Sequence, residues 1–220
     1  MHAFEGKVVL VTGAGRGAGK AIAEAFAAHH AKVALNDISP VNVDEVVAKI
    51  IRDGGQAKAY VEDVAKKVSV QAMINNLIDD WGRVNMLIHC ANVEPHTPLM
   101  ELDEWDWHRT LDVNLTGAFL LTQSVGRVMR EQGGGVIIHI IPVAGRDELP
   151  DRSAYVASKL GLAGLARQAA AELEPYNIHV HAVCTGLPEL ATTEESHDDI
   201  AAAVLALCDD NSTGQIINIA

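Results

Sequence analysis

A doubly wound α/β architecture, one parallel sheet with helices on both faces, follows from three features of this 220-residue chain. Short β-branched runs alternate with longer Ala-rich stretches of helical period along its whole length. The runs are apolar at every position, not at every second one, so they belong to strands buried on both faces. Each connection is long enough for the helical crossover that a parallel pair requires.

In order, residues 7–12 (Lys-Val-Val-Leu-Val-Thr) form a first strand, and glycines separate it from a helix over about 18–30. A second strand covers 32–36, and a helix over 41–53 stops at Gly54-Gly55. The third strand is 57–61, followed by a helix over 67–81 that ends at Gly82. Residues 85–90 make a fourth strand. A long helical region, about 101–131, stops at the three glycines 133–135. A fifth strand follows at 136–141, then a helix over 153–174 ended by Pro175, and a sixth strand at 178–183. A helix over 198–208 and a closing strand at 215–219 complete about seven strands. No linker or repeat interrupts the pattern, so residues 1–220 are expected to be a single domain. Ligands of such sheets bind beyond the carboxyl ends of the strands, and the functional residues are sought there.

Composition narrows the function. Apolar residues make up 49% of the chain and charged ones 21%, enough to bury a core without staples. Seventeen basic against 29 acidic residues give a net charge of −12, which argues against nucleic acid and anionic membrane as partners. Three cysteines, Cys90, Cys184 and Cys208, lie in or near apolar runs and fit a reducing, cytoplasmic compartment. No apolar run reaches membrane-spanning length, and the N-terminus has no signal-peptide pattern.

Thr12-Gly-Ala-Gly-Arg-Gly-Ala-Gly19 stands between the first strand and its helix. Glycines there permit a tight turn and let bare backbone N–H groups approach a diphosphate at the helix N-terminus. Gly13, Arg16, Gly17, Ala18 and Gly19 are therefore expected to bind a dinucleotide, as in a Rossmann-type domain. The loop is not a P-loop, because Ala21 follows Lys20 and offers magnesium no hydroxyl. Asp37 follows the second strand, where a carboxylate accepts from both adenosine ribose hydroxyls and repels a 2′-phosphate. NAD is thus favoured over NADP. Asp63 and Val64, after the third strand, suit either the adenine edge or a helix N-cap.

Tyr155 and Lys159 lie four residues apart on a helix and share a face. An ammonium beside a phenol favours the phenolate, which makes Tyr155 an acid/base for a hydroxyl proton while a nicotinamide moves hydride. Together with Thr12–Gly19, Asp63-Val64, Asp112-Val-Asn114, Tyr155-Val-Ala-Ser-Lys159 and Thr213-Gly214, this order of motifs resembles the short-chain dehydrogenase/reductase family. The likeness runs over nearly the whole chain and is strongest to 3-oxoacyl-[acyl-carrier-protein] reductases and related sugar or steroid dehydrogenases. It implies Tyr155 as proton donor and acceptor, Lys159 on the nicotinamide ribose, and Asn114 holding a water of a proton relay. It also implies cofactor contacts at Ala91, Asn92, Gly186 and Leu187, and a homodimer or homotetramer built on the helices around 101–131 and 153–174.

Departures from the family pattern accompany the likeness. Thirteen residues before Tyr155, where the family has a serine that helps hold the substrate carbonyl, stands Pro142. Asn92 replaces a glycine in His89-Cys-Ala-Asn92, with the turn expected to survive through the tolerance of Asn for positive φ. Residues 188–197 are too few for a helical substrate lid, and no Asp-Gly-Gly tail follows the last strand. His89, His139 and His181 fall on strands expected to be neighbours and should cluster as core histidines, with no metal expected because no carboxylate has compatible spacing. Two functions compete: an NAD(H)-dependent enzyme interconverting a secondary alcohol and a ketone, and a dinucleotide-binding regulatory or scaffold subunit with impaired catalysis. Tyr155, Lys159 and Asn114 favour the first; Pro142, Asn92 and the short lid favour the second.

Overall fold

The structure, a computed structural model, describes residues 4–142, 150–185, 194–209 and 212–219. Seven strands form one sheet: β1 (Val8–Thr12), β2 (Lys32–Asp37), β3 (Gln56–Val61), β4 (Met86–His89), β5 (Gly135–Pro142), β6 (Ile178–Thr185) and β7 (Ile216–Ile219). Their order is β3-β2-β1-β4-β5-β6-β7, and every pairing is parallel. The chain winds outward from β1 in one direction, then returns and continues from β4 in the other. The switch falls between β1 and β4, and their carboxyl ends frame a crevice.

Helices cover both faces, as continuous apolar strands require. On one face α1 (Gly17–Ala28), α2 (Pro40–Arg52) and α7 (Glu194–Cys208) bury Ile22, Phe26, Val43, Ile50, Val204 and Leu207 against Val9, Val11, Ile88 and Ile138. On the other, α3 (Lys67–Trp81), α5 (Gly117–Gln132) and α6 (Ser153–Leu173) meet Val8, Leu10, Leu87 and Ile137. Alternate residues of one strand thus enter different layers. Among the described residues, no helix is long and apolar enough to cross a membrane.

The long helical region differs from the expectation. It divides into α4 (Glu104–Leu111), a π turn at Asp112–Thr116, and α5. The Gly117 N–H reaches back to the carbonyl of Asp112, one residue farther than in an α-helix. Backbone dihedrals stay right-handed through the turn, so the axis continues and the apolar period runs on without a visible break. Strand β6 extends two residues beyond the expected end, and Pro142 closes β5 opposite Thr185. Helix α7 begins four residues earlier than its period suggested.

The histidine cluster is only half present. His89 and His139 are register partners, and their rings meet edge to face with centroids 5.8 Å apart. His181 pairs with Ile138, not His139, and so emerges on the opposite face of the sheet. An offset of one residue between strands reverses the side on which a side chain emerges. No group of three or more metal-ligating side chains occurs among the described residues.

Candidate functional site

The crevice at the switch point is a cleft of about 680 Å³. Gly13, Arg16, Gly17, Ala18, Gly19, Asp37, Asp63, Val64, Ala91 and Asn92 all line it. These ten expected cofactor contacts therefore meet in one place, although they come from four loops, while Tyr155 and Lys159 do not line the cleft and stand behind its wall. Gly186 and Leu187 lie outside the described residues.

The cradle is built by close backbone approach. Gly13 has φ +63°, and a Cβ there would sit 2.8 Å from the Ala91 nitrogen. A Cβ on Gly19 would collide with the Gly13 carbonyl oxygen. Helix α1 starts with no side chain capping its first N–H groups, leaving that end open to an anion. Across the cleft, Asp37 accepts from Gly15 N–H and Ser39 N–H, both at 2.9 Å, and its carboxylate is thereby fixed at the end of β2. A diphosphate and an adenosine ribose fit this arrangement of donors and carboxylate.

Asp63 is not a helix N-cap, since Lys66 holds that position in α3. Its carboxylate accepts from Ala65 N–H at 3.0 Å and lies within 3.8 Å of both Lys66 Nζ and Arg109 Nη1. Val64 beside it is buried. Neither Trp105 nor Trp107 lines the cleft; Asp106 and Arg109 of the same helix do.

At the other end stands the proton-transfer machinery. Tyr155 and Lys159 occupy successive turns of α6 and are both buried, with Lys159 Nζ 5.5 Å from the phenol ring centroid. No carboxylate lies within ion-pair distance of Nζ among the described residues, and burial pulls its pKa from 10.5 to about 7. A buried ammonium with no counter-ion beside a nucleotide cradle suits a ribose diol. The Tyr155 hydroxyl donates to the Pro142 carbonyl at 2.9 Å, so the residue that lacks a hydroxyl still meets the phenol through its backbone. Tyr155 is buried behind a cleft wall that includes Asn92, Glu94 and Pro142.

The expected acidic phenol is corrected here. Burial, and after it the negative charge of Glu94, push the Tyr155 pKa above its ordinary value, while the Asn92 amide and the Arg152 charge pull the other way. A lysine that is itself half neutral near pH 7 exerts a weak pull on its neighbour. In this state the proton rests on Tyr155.

Asn114 sits in the π turn, fully buried. Its Oδ1 accepts from Val93 N–H at 2.8 Å; its Nδ2 donates to the Val93 carbonyl at 2.9 Å and to Ser158 Oγ at 3.0 Å. Ser158 in turn donates to the Tyr155 carbonyl at 2.6 Å. Both amide protons are thus committed inside the protein. The side chain ties the loop after β4 to the helix carrying Tyr155, and only one acceptor lone pair remains for a water.

Three site residues escape sequence reasoning. Arg152 Nε lies 2.8 Å from Glu94 Oε1 and 3.3 Å from His96 Nε2; Arg152 and Glu94 are largely buried, His96 is exposed, and the charges of Glu94 and Arg152 act on the phenol. The approach of residue 94 to residue 152 has no local signature, because one follows β4 and the other precedes α6.

The comparisons with known proteins agree with this geometry. Residues 7–201 match the short chain dehydrogenase profile. The chain belongs to the short-chain dehydrogenase family. It is 39% identical to a 3-oxoacyl-[acyl-carrier-protein] reductase of Synechocystis, over 88% of this chain and 79% of that protein. It is 37% identical to a D-threitol dehydrogenase of Mycolicibacterium smegmatis, over 88% of this chain and 74% of that protein. A metagenomic short-chain oxidoreductase, solved in complex with NADP, superposes with a TM-score of 0.90 at 29% identity, covering 99% of each chain. The protein is a short-chain oxidoreductase of the Rossmann fold that uses a nicotinamide dinucleotide, similar to the 3-oxoacyl-carrier-protein reductases.

Proposed function

We propose that the protein interconverts a secondary alcohol and a ketone, a 3-oxoacyl or similar carbonyl compound, with NAD(H) preferred over NADP(H). The observation that carries this reading is the burial of Tyr155 and Lys159, one helical turn apart, behind the wall of a dinucleotide cradle. Asp37 supports the preference for NAD, since a 2′-phosphate beside its fixed carboxylate meets like charge. The coenzyme, when bound, supplies or takes the hydride. Tyr155 gives its proton to the carbonyl oxygen in reduction and recovers one in oxidation. Lys159 donates to the ribose and holds positive charge against the developing phenolate, a role that strengthens as it becomes fully protonated. Asn114 keeps the cleft wall and α6 in register through Val93 and Ser158.

Residues 1–220 act in this reading as one dinucleotide-binding domain. Phe119 on α5 and Leu160 on α6 are large apolar side chains left exposed, which supports assembly into a homodimer or homotetramer through these helices. The three free cysteines are compatible with a cytoplasmic location. Titration with NADH and NADPH, followed by turnover of acetoacetyl-coenzyme A, diacetyl and threitol, tests the reading. Binding of NADH with turnover of one probe supports it; failure to bind either coenzyme refutes it.

A further inference from the structure

Pro142 stands where the family resemblance leads one to expect a serine hydroxyl, and among the described residues the cleft wall carries another donor, the amide of Asn92. We propose that the side-chain amide of Asn92 is a catalytic residue, donating to the carbonyl oxygen beside Tyr155 in the role the Pro142 position cannot fill. The inference rests on the carbonyl-alcohol reading above.

Pro142 brings neither a side-chain donor nor an N–H. Its carbonyl only accepts, from the Tyr155 hydroxyl. Asn92 and Pro142 both line the cleft, and the Asn92 amide stands near enough to the phenol to favour its ionised form. Its Oδ1 is buried and, among the described residues, has no hydrogen-bond partner, so no structural network takes up that end of the amide. The family glycine is not needed for backbone reasons, because Asn92 is absent from the residues with positive φ. The turn survives without a left-handed residue, contrary to the expectation from sequence.

The segment around Asn92 is fixed on both sides. Thr12 Oγ1 accepts from Cys90 N–H at 3.3 Å and Ala91 N–H at 3.4 Å, while Asn114 grips both the N–H and the carbonyl of Val93. A donor on so short and anchored a segment is positioned before substrate arrives, which is the condition for stabilising charge that develops on an oxygen. An amide N–H and a serine O–H are equivalent for that purpose. Their difference is origin: the serine would come from β5, the amide from the loop after β4.

The test is steady-state kinetics with NADH and whichever carbonyl or alcohol probe of the panel the wild type turns over, for Asn92→Gly, Asn92→Asp and Asn92→Gly with Pro142→Ser. Removing one donor lowers kcat by about 10²-fold in Asn92→Gly. Asn92→Asp keeps the shape without the donor and loses as much, so a misfolded glycine variant does not decide the matter. Adding Pro142→Ser to Asn92→Gly restores at least about tenfold, because a hydroxyl returns from the other strand. The loss is read as kcat at saturating NADH, with the NADH dissociation constant of every variant measured by fluorescence, so that weaker coenzyme binding at this cleft residue is separated from the chemical step. An unchanged kcat in either single variant, or a loss explained wholly by weaker NADH binding, overturns the proposal and leaves the parent reading intact. A wild type that binds NADH and turns over no probe removes both.

Discussion

Lys159→Met offers a quantitative test of the site's electrostatics. The wild-type lysine is 2% exposed, and burial lowers its pKa from 10.5 to about 7. Between these values the unfolded chain binds more protons than the native protein, so stability rises with pH across the window. Each pKa unit corresponds to about 1.4 kcal/mol. From about pH 7 to about pH 9 the unfolded lysine stays charged while the native one, already half neutral, loses the rest of its proton; the gain is about 2 kcal/mol. Methionine has no such dependence and fills a similar volume. Urea denaturation of the coenzyme-free protein at both pH values should therefore show wild type gaining about 2 kcal/mol relative to the Met variant as pH rises. Parallel pH curves for the two proteins would refute the burial of an uncompensated ammonium.

Further outcomes follow from the same geometry. Burial lowers the His139 pKa from 6.5 to about 4, so the unfolded chain binds the extra proton between these values and stability falls as the pH drops through them. His139→Asn should remove about 3 kcal/mol of that acid loss in denaturation experiments between about pH 6.5 and about pH 4. Glu94→Gln removes a negative charge that raises the Tyr155 pKa, which moves the acid limb of the alcohol-oxidation pH profile to lower pH; Glu94→Ala also removes the carboxylate paired with the largely buried Arg152 and costs about 3 kcal/mol by urea denaturation. Asp37→Ala should improve the ratio of NADPH to NADH affinity by at least about tenfold in fluorescence titrations, since the repelling carboxylate is gone.

Much of this was legible because it is local. Val8 to Val11 are apolar at successive positions, and the strand through Thr12 is buried at all five, as a parallel sheet between two helical layers demands. Gly13 to Gly19 announces the cradle, because only residues without a side chain tolerate the approach of Ala91 and the Gly13 carbonyl. The spacing of Tyr155 and Lys159 places them together on any helix. What stayed hidden depends on register or on distant loops. His181 shares no face with His139 because β6 pairs one position away, which periodicity cannot reveal. The Glu94–Arg152 pair joins residues 58 positions apart, and its effect on Tyr155 appears only when both loops are in place. The commitment of the Asn114 side chain to Val93 and Ser158 is equally non-local, so a relay role assigned by motif missed its structural one. The phenol's raised pKa came from burial, a property of the packed protein and not of the neighbouring residue type.

The most direct test of the central claim compares wild type with Tyr155→Phe in NADH-linked turnover, with coenzyme binding measured on both. The account predicts equal NADH affinity and a loss of about 10³-fold in kcat, the contribution of a positioned acid/base. A phenylalanine variant that keeps kcat within tenfold of wild type would contradict it.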